Sequence, residues 1–275
     1  MDGTVRRGGV GVRCTTVFLV VAAVLGVTVA SADLITIDFN SLSTGEILTE
    51  QYASLGVHFS AVSNPTSTLT IYDTTATGGA DPDLEGPPND TWNGGNLAPG
   101  TNMGNVMIIA NDTVDTSPAD GLIDNPNDDG GGGTITVKFD QPLYRFGFSN
   151  VDSDGFGEQC CVTFYRAGTL VGQIFFADRI SASTPYYDPT IAYGDDYANE
   201  FEITSWTSPN YNVVAGASSP GNGTGTIGQF DEVRFNMGGS GAFDDIRFET
   251  PEPGTMALLG LGLAAVGAWR RRNSD

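Results

Sequence analysis

One histidine, one lysine and three cysteines in 275 residues exclude several chemistries before any motif is considered. A Ser-His-Asp or Cys-His nucleophilic arrangement would have to use His58, and a histidine-rich zinc site cannot be assembled from a single imidazole. In Gly56-Val57-His58-Phe59 this histidine sits beside a phenylalanine in a strand-like run, where a packed or solvent-facing side chain is the expected role. Cys14 lies at the start of an N-terminal apolar segment, so Cys160-Cys161 is the only thiol pair further on. Adjacent cysteines close a disulfide only through a strained small ring, and in a strand their side chains leave on opposite faces with no bridge. Helical periodicity is missing too. Between residues 33 and 250 no stretch carries a convincing amphipathic pattern, and only Gly45 to Leu55 suggests a short turn of helix.

The two ends carry the clearest signals. Arg6, Arg7 and Arg13 precede an uncharged stretch from Cys14 to Ala32 that closes with Ala30-Ser31-Ala32. A charged region, an apolar region and an A-x-A site read as a signal peptide over 1–32, with the exported chain starting at Asp33. Gly8-Gly9 follows Arg6-Arg7 where a twin-arginine signal carries a bulky apolar residue, which favours the general secretory route. At the other end, Pro251-Glu252-Pro253 precedes an uncharged run from Gly254 to Trp269 and then Arg270-Arg271-Arg272. As a helix that run spans about 24 Å, slightly short of a ~30 Å hydrocarbon core. The arginines assign this end to the cytoplasm. The three-part order over 251–272 resembles the PEP-CTERM sorting signal of envelope-associated bacterial proteins. The resemblance implies that residues 250–275 are a sorting motif and transmembrane helix recognised by an exosortase. It also implies an inner-membrane anchor before cleavage near Pro-Glu-Pro, and then a place in the cell envelope or outside the cell. Gly254 stands where that family often has Ser or Thr.

Without these ends, residues 33–250 hold six basic and 30 acidic residues, a net charge of −24. Nucleic acid and anionic surfaces are strongly disfavoured as partners, because polyanions are bound by cationic side chains that displace counterions. Divalent cations suit such a surface. Short runs rich in β-branched and aromatic residues recur along the chain, and Thr134-Ile135-Thr136-Val137-Lys138-Phe139 alternates strictly, as a half-buried antiparallel strand does. Many strands without intervening helices predict one all-β ectodomain over 33–249, a two-sheet antiparallel β-sandwich of jelly-roll type, between an N-terminal signal helix and a C-terminal sorting helix. The Gly-, Asp-, Asn- and Pro-rich stretches at 78–105 and 115–133 read as long loops.

Calcium is the use of these oxygens that the residue types favour, since it takes six to eight hard ligands from carboxylates, carbonyls and water. Asn150-Val151-Asp152-Ser153-Asp154-Gly155 repeats the first half of an EF-hand loop, although the twelfth position falls on Cys161 and strands flank it. A calcium loop in a β context, with Asn150, Asp152 and Asp154 as ligands, stands against a plain surface turn. The ending Phe243-Asp244-Asp245-Ile246 resembles that of β-sandwich carbohydrate-binding modules. This resemblance implies a structural calcium held by Asp245 with Asp38, one of the paired aspartates turned to the ion and the other to solvent. The clusters from Asp81 to Asp90 and from Asp124 to Asp129 read as loops that close over an ion or are simply solvated. Trp92, Trp206, Tyr187, Tyr193 and Tyr197 lie in or beside loops, several next to carboxylates, and suit stacking on hydroxyl-rich ligands, with core packing as the competing role. The sequence therefore points to a non-enzymatic envelope or matrix protein, calcium-stabilised and associated with exopolysaccharide, handled by the secretion machinery and an exosortase. The alternative is a carboxylate-based glycan hydrolase or lyase, since two carboxyl groups about 5 to 10 Å apart suffice for that chemistry.

Overall fold

Alternation of β-branched and aromatic residues with polar ones sets where the strands of this chain form. The computed structural model describes residues 34–63, 67–143, 145–153, 159–184, 186–204 and 229–249. The signal peptide, the sorting segment with Pro251, Glu252, Pro253, Arg270, Arg271 and Arg272, and the candidates Asp154 and Trp206 lie outside the described residues. The described strands are β1 (Leu34–Ile37), β2 (Val57–Val62), β3 (Thr68–Asp73), β4 (Asn105–Ala110), β5 (Gly133–Leu143), β6 (Arg145–Ser153), β7 (Gln159–Arg166), β8 (Thr169–Phe175), β9 (Gly194–Thr204), β10 (Phe230–Met237) and β11 (Ala242–Glu249). One short helix, α1 (Phe176–Ile180), and two 3-10 turns, Ala53–Leu55 and Pro82–Leu84, interrupt them. The first of these turns falls within the segment from Gly45 to Leu55.

The strands form two antiparallel sheets, as expected for a β-sandwich. The first has the order β3-β4-β11-β6-β9, with β1 pairing β11 beyond the stretch that β4 occupies. The second has the order β2-β5-β10-β7-β8. Between them lies a phenylalanine-rich core. Phe148 of β6 meets Phe235 of β10 edge-on across the sandwich at 5.0 Å, and Phe235 lies 4.2 Å from Phe243 of β11. Such tilted and edge-on contacts add to the area that the rings bury, and truncating one to alanine costs about 3 to 5 kcal/mol.

The two outer faces differ. Over the first sheet, the long loops fold back to make a second apolar layer in which Leu84, Trp92, Met103 and Ile123 pack on Val106, Ile108, Val151 and Ala242. Over the second sheet the outward positions are polar, and the register aligns them in rows across all five strands. One row runs His58, Lys138, Glu232, Tyr165, Leu170, and the next runs Ser60, Thr136, Arg234, Thr163, Gln173.

Two segments that read as loops are strand instead. β6 continues through Asn150 to Ser153, and β9 begins at Gly194, so that Tyr197 lies within it. The cause is mutual pairing, Asn150 with Asn199 and Val151 with Ala198, which local composition does not encode. Both cysteines fall in β7, where Cys161 is buried.

Candidate functional site

The paired aspartates of β11 sit at a β-bulge. Asp244 pairs Ser149 and Arg247 pairs Gly147, so three steps on β11 oppose two on β6. The extra residue is accommodated at Asp245, whose φ of 47° lies in the left-handed region that aspartate tolerates better than most side chains. The bulge keeps Phe243, Ile246 and Phe248 in the core while Asp244, Asp245 and Arg247 take the other face. Asp244 is 1% exposed and its Oδ1 has no hydrogen-bond partner among the described residues. Burial drives its pKa well above the usual carboxylate range, with the charges of Asp245 and Asp38 adding to the effect. Asp245 is also raised, by burial first, against the opposing pull of Arg247 and of the Ser149 hydroxyl, which donates to its Oδ2 at 3.4 Å. Asp38 follows β1, is exposed, and accepts the N–H of Asn40 at 3.3 Å. The structure thus brings Asp38, Asp244 and Asp245 into one electrostatic neighbourhood, and the member turned into the protein is Asp244. The sequence reading had preferred Asp245. Alternation along a regular strand cannot reveal which of two adjacent aspartates a bulge buries. Among the described residues no group of three or more His, Cys, Asp and Glu side chains is arranged as a ready-made metal site.

Arg247 neutralises part of this face. Its Nε contacts Glu202 at 2.7 Å, one terminal nitrogen contacts Glu200 at 3.0 Å, and the other lies 3.7 Å from Asp245. The nitrogen on Glu200 also donates to the carbonyls of Phe201 and Phe148, at 3.2 and 3.4 Å. Asn150 and Asp152, read as loop ligands, are instead buried strand residues of β6. Asp152 has a φ of 55° at a register shift against β9. Asn150 and Asp152 thus stand in a strand where a loop was expected, and Asp154, the third ligand of that reading, lies outside the described residues.

The acidic loops close on each other. Asp81 and Asp128 are both buried, and the backbone N–H of Asp128 donates to Asp81 at 3.4 Å. The N–H of Gly241, just before β11, donates to the Asp128 carboxylate. Burial, then the Asp81 charge, pushes the Asp128 carboxyl up to about 8, so Asp128 keeps its proton at neutral pH. Asp196, at the start of β9, is raised to about 6, first by burial and then by Asp83 and Asp90.

The aromatic candidates divide. Trp92 is 2% exposed and donates its indole N–H to the carbonyl of Thr101 at 2.7 Å. An added Cβ at Gly86 would stand 2.2 Å from its ring, so the loop closes tightly on it. This tryptophan anchors the loop layer and offers no face to a ligand. Tyr193 donates to the carbonyl of Phe176 and packs edge-on against that ring, and Tyr197 lies against Gly94. Tyr187 alone of the described candidates is exposed, at 44%.

Sequence reasoning passed over the polar face of the second sheet, although the outward threonines and lysine of β5 were its visible signal. It also passed over the double engagement of His58, whose Nδ1 lies 2.6 Å from Glu50 and whose Nε2 lies 3.2 Å from Asp140.

The PEP-CTERM protein-sorting motif is matched over residues 249–272, beginning at the last residue of β11. No curated protein matches the sequence. Among solved structures the chain is similar to the K2 cleaved adhesin domain of Lys-gingipain, at 14% identity and a TM-score of 0.36, over 79% of this chain and 100% of that one. So loose an overlap carries no argument about function.

Proposed function

We propose that this chain is a non-enzymatic protein of the cell envelope or extracellular matrix, exported through the PEP-CTERM route, stabilised by calcium and associated with exopolysaccharide. The observation that carries the reading is covalent continuity. The sorting motif begins where a central strand of the sandwich ends, so the folded β-domain is what the motif delivers. An exosortase is the implied processing partner, and membrane attachment through the C-terminal segment precedes release. Calcium is supported by Asp244, a buried carboxylate with an oxygen that nothing among the described residues satisfies, beside Asp38 and Asp245. Asp244 would be the buried ligand, with Asp38 and Asp245 nearby and carbonyls and water completing a shell that these side chains alone do not form, and the ion would offset the charge that burial penalises at Asp244. A domain carrying 30 acidic residues has a physical use for such an ion outside the cell. The test of the polysaccharide association is a glycan array probed with the full chain in mild detergent and calcium. Binding to one or more glycans is expected, and a blank array overturns it.

The glycan hydrolase or lyase alternative has one specific observation in its favour. Asp81 and Asp128 are a carboxyl pair in which one member holds its proton near neutrality, as a general acid must. Both are buried and committed to backbone N–H groups that pin loops together. Release of reducing ends by the native chain and its loss in D128N would establish the enzyme.

A further inference from the structure

Six cationic side chains serve the whole region from 33 to 250, and two of them, Lys138 and Arg234, stand diagonally across β5 and β10 on the outer face of the second sheet, on either side of Glu232. Lys138 is the chain's only lysine. Both approach the same carboxylate, Glu232, at 3.6 and 2.5 Å, yet the Glu232 side chain is only 10% exposed while those of Lys138 and Arg234 are 59% and 39% exposed. Lys138 and Arg234 around the one Glu232 carboxylate therefore leave this spot one net positive charge, in a domain that is otherwise acidic. The cations border a shallow groove of about 440 Å³ that is also lined by the hydroxyls and amide of Ser60, Thr134, Thr136 and Asn236, by the Glu232 carboxylate and by the apolar Val62. These groups come from neighbouring strands about 4.8 Å apart, so they repeat across the sheet with a spacing close to that of sugar units along an extended chain. Arg234 lies over the Tyr165 ring at 4.2 Å, which fixes its guanidinium in the plane of the face.

From this arrangement we infer that the outer face of β2, β5 and β10 is a binding surface for an acidic polysaccharide, a hydroxyl-rich chain carrying uronate carboxylates. The inference rests on the exopolysaccharide reading above and adds to it the surface and the glycan chemistry. The hydroxyl and amide rows hydrogen-bond the sugar hydroxyls, and the free N–H groups of Lys138 and Arg234 receive the carboxylates, which planar guanidinium groups bind with good geometry. The net charge of the domain does not forbid this. At physiological salt the Debye length is about 8 Å, so acids on the loops over the opposite sheet are screened from this face. The acids that flank it, Glu50 and Asp140, are engaged by His58, and Asp231 is engaged by Arg166.

Retention of the full chain in mild detergent and calcium on immobilised hyaluronate, compared with neutral dextran, tests the inference. K138Q leaves Glu232 its arginine, and E232Q/R234Q removes cation and buried carboxylate together, so neither strands a buried charge. A chain with R270Q/R271Q/R272Q keeps the tail arginines out of the readout. Retention on hyaluronate is expected to weaken several-fold in K138Q and at least tenfold in E232Q/R234Q, with unchanged melting midpoints, and to persist without the tail arginines. Hyaluronate retention unaffected by both face variants overturns the surface while leaving the polysaccharide reading intact. Equal or better retention on dextran overturns the acidic specificity. No retention on either polymer, with a blank glycan array, overturns both readings together.

Discussion

Replacing Asp244 by asparagine should change the stability of the domain in opposite directions with and without calcium. In chelator the wild-type carboxylate is a burden. Its Oδ1 is buried without a partner, and the charges of Asp245 and Asp38 bear on it from nearby. An unsatisfied buried polar group costs about 1 to 3 kcal/mol. Asparagine removes the charge and keeps the shape but leaves a buried oxygen unpartnered, so D244N should match wild type in EGTA while the acid keeps its proton and exceed it at a pH where the acid is ionised. With calcium at a hundredfold excess over its dissociation constant, wild type gains about 2.7 kcal/mol from ligation of the native state alone, and the variant forfeits most of this. For a domain of this size each kcal/mol moves the midpoint by about 2 to 4 °C, so the calcium shift in wild type should be roughly 5 to 10 °C. The pH dependence follows from the same group. The folded pKa is raised, so the folded state holds a proton that the unfolded chain releases near its ordinary value of about 3.9. Without calcium, stability should therefore fall as pH rises from that value through the folded pKa, then level off. Midpoints by circular dichroism in EGTA and in calcium, at several pH values, give the answer. Equal midpoints in both media for wild type, with D244N lower in each, would refute the reasoning and leave Asp244 a structural residue.

The other buried and paired charges make further predictions. Asp128 is raised to about 8, so its contribution is full below the unfolded value of about 3.9, falls as pH rises from there to about 8 and then levels off. D128N, which can still accept from Gly241, should lie within about 1 kcal/mol of wild type at pH 6 and be the more stable protein at pH 9.5 by urea unfolding. His58 donates to two carboxylates at once only as imidazolium, and its pKa is raised by the Glu50 and then the Asp140 hydrogen bond. Its stabilisation is present below the unfolded value of about 6.5 and lost above the folded one. Exposure to solvent holds it to about 0.5 to 1 kcal/mol, measured as the pH-dependent difference from H58Q. R247M should cost about 2 to 3 kcal/mol, below the ~3 to 5 of a fully buried pair because Glu200 and Glu202 can rehydrate, and a loss under 0.5 kcal/mol in urea would show that the guanidinium is not what holds β11 to β9.

Strand positions were legible because burial on one face writes itself into alternation, as in Ile135, Val137 and Phe139. Strand pairing was not, and this is where the site lies. The bulge that buries Asp244 exists because β11 and β6 differ by one residue between Asp244 and Arg247, a relation between segments almost a hundred positions apart. Trp92 misled for a related reason. Its surroundings, Asn89-Asp90-Thr91 and Asn93-Gly94-Gly95, have the composition of a solvated loop. Yet the loop carries a tryptophan and two leucines, Leu84 and Leu97, that need cover, and the apolar outward positions of β4 provide it. A long loop over a sheet with apolar residues on both faces is a layer of the protein, and the doubly apolar run Val106-Met107-Ile108-Ile109 was the sign of it.

The arrangement of β1 and β11 would let the chain keep its fold if it were cut before Leu34 and beyond Glu249. Leu34 pairs Glu249, and the ladder runs on to Ile37 with Ile246. The first described residue and the start of the sorting motif therefore lie side by side at one edge of the ladder. Arg145 secures this point by contacting Glu249 at 2.7 Å. Cutting the chain before Leu34 or beyond Glu249 removes no rung of the sheet. At the other end of the same short ladder stand Asp38 and the Asp244 bulge, so an ion bound there would clamp β1 to the strand from which the tail departs. A four-residue strand has few hydrogen bonds of its own. Its retention in the sheet depends on those few bonds and on whatever ties Asp38 to Asp244. Calcium is abundant outside a cell and scarce within it, which would make such a clamp effective in an exported domain.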